Sequence, residues 1–242
     1  MGPPPPLRSV TSGAGPPLVL LPAFGMSPLV YLRVVDRLAP GHRVLVPWVW
    51  GAGRRWSYDT VVEAVVATLD AQGVERAAVV GHSMGGAVAL GVAAAAPARA
   101  SALVLVNALA LSPGRARLAR LGLQGRHIRT FATPAAARDF VQWAARRPGD
   151  LVATALWGWS CHLAEAAAEV RAAGVPRSVL WAKDDTLLPL PIGEQLATAL
   201  DTPLRVASGR SAEERVEHDW VYRHPTFFAH QLDAALAEVA AA

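Results

Sequence analysis

Cysteine occurs once in the 242 residues, at Cys161, so neither an intrachain disulfide nor a thiolate metal cluster is available. The lone thiol reads as core filling. Charge is also scarce: charged residues make up 17% of the chain against 52% hydrophobic, which excludes disorder and suits a buried parallel sheet. Lysine is nearly missing, since 22 of the 23 basic residues are arginine and Lys183 is the exception. The formal charge is +4, yet no aromatic-and-basic repeat or reading helix accompanies it, so nucleic-acid binding is not expected. Met1-Gly2-Pro3-Pro4-Pro5-Pro6 lacks a basic leader with an apolar core. No secretory signal is expected there, and a cytoplasmic location is the default. The stretch from Ala77 to Pro97 is apolar enough to rival a membrane span. Its glycines and Ser83 sit where a sharp turn needs them, and a central helix covered by protein looks equally apolar, so no transmembrane segment is expected.

What the chain does contain is a strand-like run, Ala77-Ala78-Val79-Val80, ending in Gly81-His82-Ser83-Met84-Gly85-Gly86 and passing directly into a helix-forming stretch. A Gly-x-Ser-x-Gly elbow has meaning in that strand–turn–helix context. The turn needs small neighbours, because Cβ atoms at 81 and 85 would crowd adjoining backbone. Ser83 is then presented above the sheet at the start of a helix, whose N–H groups and dipole favour negative charge. The place suits a nucleophile attacking a carbonyl.

Three other segments agree with it. Leu18-Val19-Leu20-Leu21 reads as a buried strand entering the turn Pro22-Ala23-Phe24-Gly25-Met26. Ser178-Val179-Leu180-Trp181 exits into Asp184-Asp185, with Pro189 four residues after Asp185. Glu217-His218-Asp219-Trp220 precedes Pro225, seven residues after the histidine, and an apolar helix follows. Taken together, the chain from about Pro17 onward resembles the α/β-hydrolase superfamily, as a carboxylesterase-like serine hydrolase.

The resemblance implies a catalytic triad of Ser83, Asp185 and His218, in the chain order of that superfamily. Asp184 stays open as the alternative acid. It also implies an oxyanion hole built from the backbone N–H groups of Phe24 and Met84. Family members carry His-Gly before the first of these positions; here the pair is Pro22-Ala23, and a backbone donor survives the change. His224 and His230 read as parts of the last helix and its entry, and His82 as a packing or locally hydrogen-bonded ring. No motif surrounds His42, His127 or His162.

Alternation of short apolar runs with amphipathic stretches supports an α/β fold: a doubly wound, mostly parallel sheet. Strands are expected near Leu18–Leu21, Arg43–Val46, Ala77–Val80, Ala102–Val106, Arg177–Trp181 and Leu204–Ala207. Helices are expected near Leu29–Leu38, Tyr58–Gln72, Met84–Ala95, Pro191–Leu200 and Thr226–Ala241. Ser27 and Ser57 are the expected caps of the first two. Few residues precede Leu18, so the antiparallel strands that open this fold look reduced or missing. Between Val106 and Arg177 no strand is legible, an interval of about 70 residues that is too long for a structureless loop. It holds helix-like pieces near Arg115–Leu123, Ala135–Ala145, Leu151–Trp157 and Leu163–Ala172. By resemblance it is an inserted helical cap. The expected division is a Pro/Gly-rich tail over 1–16, a core over 17–108 and 174–242, and a cap over 109–173.

Two features of this cap bear on substrate. Trp143, Trp157 and Trp159 lie in it, and either line an apolar substrate pocket or fill the interior of the cap itself. From Arg115 to Arg147 there are eight arginines (115, 117, 120, 126, 129, 138, 146, 147) against one acid, Asp139, a local charge of +7. Such a face is either simply solvated or steers anions, for example an acidic acyl-carrier protein or an anionic substrate. The expected activity is hydrolysis of a small-molecule carboxylic ester or thioester through an acyl-enzyme, with no metal, flavin, nucleotide or other cofactor implied. Acyl transfer, perhydrolysis and C–C bond hydrolysis use the same triad and stay open. So does a non-hydrolytic role as cyclase or receptor, which the missing His-Gly pair modestly favours.

Overall fold

The computed structural model describes residues 4–51, 56–111, 133–209, 211 and 214–241. Seven strands form one sheet: β1 (Ser9–Ser12), β2 (Pro17–Leu21), β3 (Arg43–Pro47), β4 (Ala77–His82), β5 (Ala100–Val106), β6 (Arg177–Ala182) and β7 (Leu204–Ala207). Their order is β1-β3-β2-β4-β5-β6-β7, with β1 antiparallel to β3 and every other pairing parallel. Within the sheet β4 is buried at all six positions. Strands buried on both faces read as unbroken apolar runs, which is why β2 to β6 are legible from sequence.

Helices cover both faces. They are α1 (Leu32–Leu38), α2 (Tyr58–Ala71), α3 (Met84–Ala95), α4 (Pro134–Arg146), α5 (Pro148–Ser160), α6 (Ala164–Ala172), α7 (Leu190–Leu200), α8 (Trp220–Arg223) and α9 (Pro225–Ala241). Alternate side chains of a strand point to opposite faces. Val19, Leu21, Val79, Leu103, Leu105 and Trp181 therefore join one core with α2, α3, α6 and α7. Leu18, Leu20, Val80, Val104 and Leu180 join the other core, with α1 and α9. Ser27 caps a 3-10 turn over Pro28–Tyr31 by accepting from the Leu29 N–H, and Ser57 caps α2 by accepting from the Thr60 N–H. The expected helix over Leu29–Leu38 is thus split, 3-10 up to Tyr31 and α from Leu32.

Two boundaries differ from expectation. Residues 1–16, read as a tail, supply β1, whose Val10 and Thr11 pair with Val46 and Leu45. Four residues of mixed polarity carry no burial signal, and pairing along the sheet edge is what makes them a strand. The interval 109–173, read as cap, ends in α6, which packs on α3 and α7 as part of the core layer, with Ala167 and Val170 fully buried. Its small apolar residues suit the close approach of α3, itself built mostly of alanine and glycine and buried from Met84 to Ala93. The helix expected near Arg115–Leu123 lies outside the described residues. No helix among the described residues is long and apolar enough to cross a membrane.

Candidate active site

Ser83 sits between β4 and α3 with φ 56° and ψ −123°, a left-handed backbone that L residues rarely hold. Three backbone hydrogen bonds fix it there. Its N–H donates to the Val106 carbonyl at 3.0 Å, and its carbonyl accepts from Gly86 at 2.9 Å and Leu109 at 2.8 Å. The flanking glycines are steric necessities: a Cβ at Gly81 would overlap the Gly85 carbonyl oxygen, and one at Gly85 would overlap that of Leu21. The elbow thereby lies directly against the end of β2.

The three side chains from distant parts of the chain meet. His218 Nε2 lies 2.9 Å from Ser83 Oγ, and His218 Nδ1 lies 2.7 Å from Asp185 Oδ2. An ionised carboxylate only accepts, so Nδ1–H donates to Asp185 and Nε2 is left to accept from the serine hydroxyl. All three are nearly buried, at 9%, 4% and 4% exposure for Ser83, Asp185 and His218, which keeps bulk water from weakening these bonds.

Asp185 is over-determined. Its Oδ1 accepts from the Leu187 and Leu188 N–H groups, both at 2.8 Å, while Oδ2 also accepts from Asn107 Nδ2 at 2.5 Å. Asn107 follows β5 with φ 43°, and its Oδ1 accepts from the Ala182 N–H and from Trp220 Nε1. No sequence signal singled it out. The one local hint is the residue type, since asparagine tolerates a positive φ better than most and here directly follows an apolar strand. Asp184 does different work, exchanging hydrogen bonds with Val216 through its backbone N–H and its Oδ2, and so tethers the loop leading to His218.

Met84 directly follows Ser83, and Gly85 packs against the carbonyls of Leu21 and Pro22, just before Phe24. Met84 is the first residue of α3, where an N–H has no intrahelical partner. Phe24 lies in the turn after β2, and its ring packs edge-on against Trp50, Phe140 and Trp143 at centroid distances of 5.8, 5.8 and 5.2 Å. Trp157 stacks on Tyr58 at 4.6 Å and meets Trp56 edge-on at 5.5 Å. Both tryptophans therefore knit α4 and α5 to the core. Trp143 also lines a cavity of about 210 Å³ with Gly25, Trp48, Trp50 and Arg146. The side chain of Trp159 lies outside the described residues, as do Arg115, Arg117, Arg120, Arg126 and Arg129. Asp139, the acid within the arginine-rich stretch, accepts from the Ser27 N–H at 2.5 Å and from Ser27 Oγ at 2.9 Å, so α4 is hooked onto the turn that carries Phe24. Burial pushes the Cys161 thiol up to about 12, leaving it protonated and inert.

The family model described as the alpha/beta hydrolase fold matches residues 16–161. The chain belongs to this family. Among proteins similar to this α/β hydrolase is lipase LipV of Mycobacterium tuberculosis, 44% identical over 94 residues, which are 35% of this chain and 36% of that protein. The pimeloyl-[acyl-carrier protein] methyl ester esterase of Pectobacterium carotovorum is 38% identical over 98 residues, 40% of this chain and 38% of that protein. The chain thus spans well under half the length of these curated relatives. Among solved structures, a membrane phospholipase A described as a bacterial virulence factor superposes with a TM-score of 0.78 at 20% identity, covering 97% of this chain and 83% of that one. At that identity the likeness is one of fold.

Proposed function

We propose that this α/β hydrolase is a serine hydrolase of small carboxylic esters or thioesters, working through an acyl-enzyme. The observation that carries the reading is the unbroken run Ser83 Oγ, His218, Asp185, with contacts of 2.9 and 2.7 Å in a nearly buried setting. In this reading His218 Nε2 takes the Ser83 proton as Oγ bonds to the substrate carbonyl carbon. The carbonyl oxygen becomes an oxyanion held by the N–H groups of Phe24 and Met84, each contributing about 3 kcal/mol. The tetrahedral species collapses, the C–O or C–S bond breaks, and His218 returns the proton to the leaving alcohol or thiol. Water then enters by the same route and releases the acid. Asp185 holds the imidazole in the Nδ1–H tautomer and stabilises its charged form.

Helices α4 and α5 act as part of the cap in this scheme, with Trp143 contributing to the apolar wall that selects the acyl or alcohol group. The names of the two relatives, a lipase and a methyl ester esterase, support ester chemistry. The second name also supports an ester borne on an acyl-carrier protein as a substrate that an arginine-rich cap would recognise.

A fluorophosphonate label on Ser83, together with turnover of a panel of p-nitrophenyl esters of graded acyl length, tests the proposal. Both should vanish in Ser83→Ala. A well-folded protein that neither labels nor turns over any ester would favour the non-hydrolytic role.

A further inference from the structure

His82, beside the nucleophile, is fully buried, and its partners lie far away in sequence. Its Nε2 is 2.9 Å from the backbone carbonyl oxygen of His218, and its Nδ1 is 2.8 Å from the hydroxyl of Tyr31, itself fully buried. That hydroxyl is also 2.9 Å from the Ala23 N–H, one residue before Phe24. The hydrogens have one consistent arrangement. A carbonyl only accepts, so His82 Nε2–H donates to His218; Nδ1 is then the acceptor and receives the Tyr31 O–H; the Tyr31 oxygen in turn accepts from Ala23. Every group is satisfied and none is spare. Protonating Nδ1 would set its N–H against the Tyr31 hydroxyl proton, and burial together with nearby His218 lowers the His82 pKa to about 3. Tyr222 closes the box, edge-on to both Tyr31 and His82 at 5.8 and 6.2 Å.

This chain joins the two loops that must stay in register across Ser83: the turn after β2 and the loop bearing His218. It occurs where the Pro22-Ala23 pair departs from the family pattern, and it gives the Ala23 N–H its partner. We propose that Tyr31 and His82 are positioning residues that lock the Phe24 turn and the His218 main chain to each other, fixing the distance between oxyanion donor and general base. The proposal rests on the serine-hydrolase reading. Neither side chain touches substrate. Both act through Ala23 and through the His218 backbone.

The test compares wild type with Tyr31→Phe, His82→Gln, His82→Phe and the double variant Tyr31→Phe/His82→Phe. Rates on p-nitrophenyl acetate are expressed per fluorophosphonate-titrated site, so loss of folded protein does not count as loss of rate. Misplacing reacting groups by a fraction of an ångström lowers kcat rather than binding, so Tyr31→Phe should lose about tenfold in kcat with KM within about twofold. A glutamine amide still offers a donor to the His218 carbonyl, so His82→Gln should keep more of kcat than His82→Phe. If the chain transmits as a unit, adding Tyr31→Phe to His82→Phe should cost less than about twofold more. Per-site kcat within twofold of wild type in Tyr31→Phe and His82→Gln, even with a lowered Tm, overturns the proposal, and so does full additivity in the double variant. If His82→Phe does not fold, the Tyr31→Phe and His82→Gln rates decide alone. Histidine-ring nitrogen NMR gives a readout independent of turnover: Tyr31→Phe should shift the His218 ring resonances, and an unmoved His218 ring overturns the coupling. Wild type that neither labels nor hydrolyses would instead sink the serine-hydrolase reading, and the NMR shift would still report on the coupling.

Discussion

Two adjacent aspartates leave β6, and their surroundings separate them. Asp185 faces His218 and carries four hydrogen bonds on its two oxygens, whereas Asp184 holds a loop through Val216. Asp185→Asn should lower kcat by about 10³-fold or more, because an amide in that position favours the wrong imidazole tautomer. Asp184→Asn should cost about 1 kcal/mol of stability and little rate per active site, as befits one loop hydrogen bond. Steady-state kinetics beside urea denaturation of the two variants checks both, and a reversed order would reassign the acid. Neutral His82 makes a second residue-level prediction. The unfolded chain takes up the proton below the ordinary value of 6.5, while the folded chain resists until about 3. Its contribution is therefore complete above pH 6.5 and is lost as pH falls, by up to about 1.4 kcal/mol per pH unit. Between pH 7 and pH 5 wild type should lose about 2 kcal/mol more than His82→Gln, read from urea midpoints. Parallel pH dependences would show that His82 is not held neutral.

The strand–elbow–helix unit of β4, Ser83 and α3 is set by close backbone approach. Gly85→Ala would drive a Cβ into the carbonyl oxygens of Leu21 and Pro22, neither of which is a flexible side-chain end. The end of β2 must then move, and Phe24 moves with it. Overpacking of this kind costs about 1–3 kcal/mol, and a drop in kcat with KM little changed is expected alongside it. Thermal melts with active-site-titrated kinetics would check this; unchanged kcat would mean that the Phe24 turn does not contribute a donor. The element α4 is coupled to the same turn by the Asp139–Ser27 pair and by Phe140 and Trp143 on the Phe24 ring. Asp139→Ala leaves the half-buried Ser27 N–H and hydroxyl without this partner and should destabilise by about 1 kcal/mol.

Across the whole molecule, Phe24, Ser83 and Asp185 stand at or just beyond the carboxyl ends of β2, β4 and β6, and His218 in the connection after β7, which is where open parallel sheets place their ligands. Charge is the molecule-scale property that awaits a role. Reversing Arg117, Arg120 and Arg129, which lie outside the described residues, should weaken turnover of carrier-protein-bound esters and spare p-nitrophenyl esters. Equal loss on both substrates, or on neither, would remove the carrier protein as a partner.

Strand positions, the elbow, the order of serine, aspartate and histidine, and the need for helices between Val106 and Arg177 are all legible in residue order, because each depends on neighbours along the chain: burial periodicity, turn sterics and intervals of a few residues. Other features have no local signature. Ser9–Ser12 becomes a strand only by pairing with β3, and α6 joins the core only by packing against α3 and α7. Asn107, Tyr31, His82 and Asp139 gain their partners across 78, 51, 136 and 112 residues of chain. Hydrogen bonds are directional and short-ranged, so their pairing depends on how the sheet brings loops together, and that arrangement exists only in the folded molecule.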